Sequence, residues 1–180
     1  MKNQNTKKMA YAALFLALCL VLPMLTGQIP QIGSMLLPMH ISVLLCGLVC
    51  GWQYGAAVGF VAPLLRSVLF GMPPMYPVAI AMAFELLTYG LVIGLVYRRM
   101  AQRGAAGVYA ALLTAMVAGR LVWGVAEVVL LGLGGKAFTA QAFLAGALLN
   151  AVPGIIVQLV LIPAVMAALQ KAGAVKEYAE

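Results

Sequence analysis

The 180-residue chain has no aspartate, a single histidine and only four acidic residues against eleven lysines and arginines. Such scarcity leaves little from which to assemble a metal cluster, and no metal site is expected. The phosphate-binding Gly-rich loop that ends in Lys-Ser or Lys-Thr is missing, as is the zinc-protease helix motif. Ser34, Ser42 and Ser67 have no convincing base partner for acyl transfer, and a nucleophile beside His40 lacks an acidic orienter within sequence reach. The chain is therefore expected not to be an enzyme, with no catalytic residue and no cofactor of its own. Cysteine is also sparse: Cys19, Cys46 and Cys50 are odd in number and lie in apolar context, which predicts packing residues rather than a disulfide framework.

What is abundant is apolar surface. Hydrophobic residues make up 65% of the chain, charged residues 8%, and the mean hydropathy is +1.07. A soluble domain cannot be built from this, so the expected class is an all-α integral membrane protein in one domain over residues 1–180. The segment from Met1 to Leu22 has the basic-then-apolar order of a secretory signal, but Pro23 to Thr26 stand where a small-x-small cleavage site belongs, which predicts a retained first helix. Gly and Pro punctuation divides the chain into six transmembrane helices, at about 9–26, 36–50, 55–70, 78–97, 105–131 and 139–169, the last bent at Pro153 and Pro163. With six spans and both termini cytoplasmic, Lys2, Lys7, Lys8, Arg98, Arg99, Arg103, Lys171 and Lys176 fall inside and only Lys136 outside. This asymmetry accounts for the net charge of +7, which suits a lipid bilayer and gives no support to a nucleic-acid partner.

A few polar residues interrupt the apolar helices, all expected in the outer half of the membrane. His40 and Arg66 lie about one turn from the outer ends of their helices, and Glu85 roughly 10 to 12 Å in. Glu127 and Arg120 lie about 6 and 17 Å from the outer end of the fifth helix, and Asn150 about 17 Å into the sixth. Arg120, Trp123 and Glu127 share one helix face. A charge at the centre of a span costs on the order of 2.5 to 3.5 kcal/mol on insertion scales, so this face is expected to line a polar cavity rather than meet lipid. Structural alternatives stand beside that reading. Arg120 and Glu127 could be an ion pair with each other or with Glu85 and Arg66, His40 a packing histidine, and Trp123 and Tyr76 interfacial anchors. Asn150 falls in a four-residue repeat with Ala142, Gly146 and Gly154, which suits a tight helix crossing as well as a cavity floor. Gly47, Gly51, Gly55 and Gly59, with Gly90 and Gly94, predict close packing between helices.

Six short helices, the basic N-terminus, the AxxxA pattern at Ala13 and Ala17, and the run LLPMHISVLLCGLVCGWQYGAAVGFVAPLLRSVLFGMPPMYP resemble the substrate-binding S component of energy-coupling factor (ECF) vitamin transporters. The resemblance implies a subunit in the cell membrane of a prokaryote that captures a water-soluble vitamin or vitamin precursor from outside. It further implies association with a transmembrane coupling protein and two ABC-type ATPases, which use the ATP, and docking of the coupling protein on Ala13 and Ala17. Glu85, Arg120, Trp123, Glu127, Asn150, His40, Arg66 and Tyr76 are the expected substrate-binding residues, with GQIPQIGSM and GMPPMYP as lids. The MHI segment is similar to pantothenate-type members, and pantothenate is narrowly preferred, with Arg66 or Arg120 holding its carboxylate. Glu85 and Glu127 would equally suit a thiamin precursor or pyridoxine-like ring stacked on Trp123. The rival function is an ion- or proton-coupled secondary transporter using Glu85 and Glu127; against it stand the absence of an inner-half acidic residue and of an inverted repeat.

Overall fold

A computed structural model describes residues 2–25, 35–135, 139–146 and 151–173, and all regular structure among them is helical. The helices are α1 (Lys2–Leu25), α2 (Pro38–Cys50), α3 (Trp52–Phe70), α4 (Ile80–Met100), α5 (Ala105–Leu133), α6 (Ala140–Leu144) and α7 (Val152–Lys171). A π turn at Met75–Ala79 leads into α4, and a 3-10 turn at Ala101–Arg103 follows it.

Five stretches are long and apolar enough to cross a bilayer: Gln4–Met24, Trp52–Phe70, Met75–Arg103, Ala105–Leu133 and Val152–Lys171. The expected second span is different in kind. Its 13 residues reach only about 20 Å, short of a hydrocarbon core of about 30 Å. Ten of the 13 are buried, so α2 is an internal helix sheathed by its neighbours.

Two sequence expectations need correction here. The break between the second and third helices is not the four residues between the expected spans 36–50 and 55–70 but Gly51 alone, at φ 97°, with Trp52 already helical. A residue without Cβ takes that conformation at little cost, which suits glycine to the turn. The single sixth helix over 139–169 is also wrong in outline. The described residues give the short α6 and the separate α7, and Pro153 lies in the first turn of α7, where its missing N–H costs nothing, so it starts the helix instead of bending it. Pro163 does lie inside α7.

The remaining small residues work as expected. A Cβ on Gly90 would stand 2.2 Å from the Gly55 carbonyl carbon, and one on Gly55 would stand 2.7 Å from the Gly47 Cα. The backbones of α2, α3 and α4 therefore meet at one crossing that admits no side chain. Around it α4 packs on α2, α3 and α5, and Leu44, Leu48, Leu86, Ile93, Leu112, Ile162 and Met166 fill the core. Free Cys19, Cys46 and Cys50 are buried in the same core.

Candidate functional site

The polar residues meet where the start of α2 crosses α4 and α5. Leu37 takes a left-handed conformation (φ 51°, ψ 49°) and Pro38 opens α2, so His40 enters within the first turn and points into the bundle, 2% exposed. A left-handed leucine costs on the order of 1 to 2 kcal/mol, strain that the surrounding packing must hold. On α4, Glu85 is 1% exposed, and Tyr89, one turn further, presents its ring to His40 edge-on at 5.2 Å. Gly119 of α5 then sets the approach of the third helix. A Cβ there would stand 2.9 Å from the Tyr89 ring, so glycine lets α5 close in and brings the next residue, Arg120, within reach of α4.

Arg120 Nη1 lies 2.9 Å from Glu85 Oε1, and His40 Nε2 lies 3.4 Å from the same oxygen. Of the partners open to Arg120, the structure selects Glu85 across the α4–α5 contact. Neither approach is an aligned hydrogen bond: Glu85 Oε1, Arg120 Nη2 and both His40 ring nitrogens are buried and make none. An unpaired buried polar group costs about 1 to 3 kcal/mol, and several in one place point to a role other than stability.

Glu127 is 6% exposed, on the same face of α5 as Arg120 and near enough to Glu85 for their charges to interact. Between them in sequence, Trp123 stacks on Phe143 of α6, with ring centroids 6.1 Å apart and planes at 25°. Two glycines make this stack fit. A Cβ on Gly124 would lie 2.5 Å from the Phe143 ring, and one on Gly146 would lie 2.7 Å from the Trp123 ring. Gly146 thus packs on Trp123, and Gly154 on the Met35–Leu36 backbone. Asn150 lies outside the described residues, as does GQIPQIGSM except for its last residue, Met35.

Arg66 and Tyr76 do other work. Arg66 donates to the Leu20 carbonyl of α1 and stands 5.2 Å over the Phe70 ring. That carbonyl lies in the turn that Pro23 disturbs, since proline offers no N–H and crowds the preceding turn. Arg66 is therefore a tie between α3 and α1. Tyr76, exposed in the GMPPMYP loop, donates to the Leu130 carbonyl and fastens that loop to the end of α5.

One residue escapes the sequence reading. Gln158 of α7 is 1% exposed and its Nε2 makes no hydrogen bond. Gly154 packs against Met35 and Leu36, which sets α7 beside the start of α2; Gln158 then lies four residues deeper, as His40 lies four residues beyond Leu36. A continuous helix from 139 puts Gln158 in the inner half, whereas the observed start at Val152 puts it about 9 Å below the helix end. A lone glutamine in VPGIIVQLVLIP was the signal that could have flagged it.

Two grooves, of about 370 and 410 Å³, are apolar and lie on the flanks of α5, lined by Leu121, Val125 and Val129 with Phe143 on one side and Phe84 on the other. They present apolar walls outward, as a lipid-facing surface does, and contain none of the charged cluster. The polar site is instead a closed junction of α2, α4 and α5 with α7 alongside.

Comparison with known proteins gives one result at the family level. The family described as "ECF transporter, substrate-specific component" matches residues 7–167. No curated protein and no solved structure matches the chain. The match takes in most of every long helix and every residue of the buried charged cluster, and the chain belongs to the substrate-specific components of ECF transporters.

Proposed function

We propose that this multi-pass membrane protein captures a water-soluble vitamin or vitamin precursor from outside a prokaryotic cell at the junction of His40, Glu85, Arg120, Trp123 and Glu127. The observation that carries the reading is the set of buried polar atoms without hydrogen bonds on His40, Glu85, Arg120 and Gln158, in a chain of a substrate-binding family. A ligand that satisfies these groups recovers desolvation already incurred in folding, which favours tight binding. The lysine and arginine distribution supports cytoplasmic termini and an outer GMPPMYP loop, with the short α2 counted as one of six passes, and Tyr76 holds that loop over the end of α5. Asn150 is retained as a ligand contact on the resemblance alone, and Arg66 as a brace at the edge of the site.

Capture alone moves nothing, since the chain carries no nucleotide-binding fingerprint. Membership of the family implies a transmembrane coupling protein and two ATPases, with ATP used by those partners. Ala13 and Ala17 suit the docking role. They are exposed on α1, while Ala12, Phe15 and Cys19 on the opposite face are buried. Small exposed residues let another helix approach closely.

Calorimetry of the purified protein against a panel of vitamins tests capture, with one ligand expected to bind tightly. Vesicle uptake tests the coupling, and transport is expected only when the coupling protein and ATPases are present. Uptake driven by a proton or ion gradient without them would instead establish the secondary-transporter function.

A further inference from the structure

Three arginines and a lysine are drawn together at the end of the bundle away from the buried junction. Arg98 and Arg99 close α4, Arg103 ends the 3-10 turn that follows, and all three are exposed. Gly104, at φ 56°, turns the chain directly into α5, and a Cβ on Gly107 would meet the Met100 carbonyl oxygen, so the corner between the two helices is tight. From the other side, Gln170 Nε2 donates to the Tyr97 hydroxyl at 3.0 Å. That bond fixes the last turn of α7, with exposed Lys171, against the last turn of α4. Arg98, Arg99, Arg103 and Lys171 make no hydrogen bond and no ion pair with any described residue. The described carboxylates, Glu85 and Glu127, lie toward the opposite ends of α4 and α5, and the 13 residues from Glu85 to Arg98 span about 20 Å. A favourable helix dipole explains a cation in the last turn of α4 and of α7, but not Arg103, which lies outside both helices.

The face of α5 that rises from this corner is apolar and turned outward. Tyr109, Leu113, Val117 and Leu121 follow one another at four-residue spacing and are all exposed, and together they cover about 18 Å. That is close to one leaflet of a hydrocarbon core about 30 Å thick. We infer that the α4–α5 corner is a binding site for an anionic phospholipid of the inner leaflet, with its phosphate met by the arginines and an acyl chain lying along α5. Charge complementarity selects the anionic headgroup, and planar guanidinium forks match phosphate oxygens better than a point charge does. The leaflet follows from the orientation proposed above, whereas headgroup recognition depends neither on that orientation nor on what the bundle captures.

Thermal unfolding and native mass spectrometry of the full-length protein, delipidated in nonionic detergent, provide the test, with phosphatidylglycerol and phosphatidylcholine of the same acyl chains as probes. Phosphatidylglycerol is expected to raise the melting temperature and stay bound, phosphatidylcholine to do neither, and the difference to shrink at high salt. Arg99→Gln/Arg103→Gln is expected to weaken phosphatidylglycerol binding about thirtyfold, the effect of two cations at a membrane surface. Lys7→Gln/Lys8→Gln, which removes the same charge from α1, is expected to leave that binding unchanged. Equal losses from the two pairs would reveal a diffuse basic field and overturn the site. Equal affinity of the wild type for both lipids overturns the lipid assignment outright, and loss of coupling-protein association in Arg99→Gln/Arg103→Gln would then give the arginines to a protein partner.

Discussion

At the scale of single residues, Glu85 and Glu127 are expected to have opposite effects on stability although both are buried carboxylates in one bundle. Removing one member of a buried pair strands the other, at about 3 to 5 kcal/mol. Glu85→Gln and Arg120→Met are each expected to destabilise by that order, and the double variant by clearly less than the sum. Unfolding in mixed detergent micelles measures the cycle; additive losses would show that the 2.9 Å contact carries no coupling. Glu127 has no such partner among the described residues, so Glu127→Gln is expected to raise the melting temperature of the ligand-free protein while weakening ligand binding. This trade of stability for binding is characteristic of a functional group. The candidate residues were legible in sequence because intramembrane charge is rare. Their partners were not, since Arg120 could reach along its own helix to Glu127 or across to Glu85, and only the close approach at Gly119 decides between them.

At the scale of elements, helix contacts are set by small residues more than by apolar pattern. Gly55→Ala and Gly90→Ala each place a Cβ against backbone that cannot yield, and a loss of about 1 to 3 kcal/mol or more is expected from overpacking. Gly71→Ala, where a Cβ meets nothing within 4 Å, is the contrasting change; its φ of 67° still strains an alanine, by an amount nearer 1 kcal/mol. Thermal unfolding of the three variants separates packing from backbone strain. Element existence was readable from the sequence almost throughout, because long apolar runs between Gly and Pro admit few other structures. The departures are at the last helix, at Gly51 and at α2, which is shorter than a bilayer span. Proline reads equally as a kink or as a helix start, and the choice depends on where the preceding segment ends. With α7 starting at Val152, Gln158 lies about 9 Å below that helix end instead of deep in a continuous helix from 139. Gln158→Leu is accordingly expected to weaken ligand binding by about tenfold or less with stability unchanged or slightly improved, since its Nε2 has no hydrogen bond to lose.

At the scale of the whole molecule, the division of labour follows the faces of the bundle. The interior of α2, α4 and α5 holds the buried polar cluster, the outer faces of α5 and α7 are apolar, and α1 turns Ala13 and Ala17 outward. Bulky substitution at Ala13 and Ala17 is therefore expected to abolish association with the coupling protein and transport while leaving ligand affinity unchanged. Co-purification and calorimetry on the same sample check both halves of that statement. The central claim is that the buried charged junction is the ligand site, and native mass spectrometry of protein released directly from its membranes tests it most directly. The account predicts one small molecule per chain in the wild type, absent or sharply reduced in Glu127→Gln and in Trp123→Leu, both still folded. Retention of the same molecule at full occupancy in both variants would contradict it.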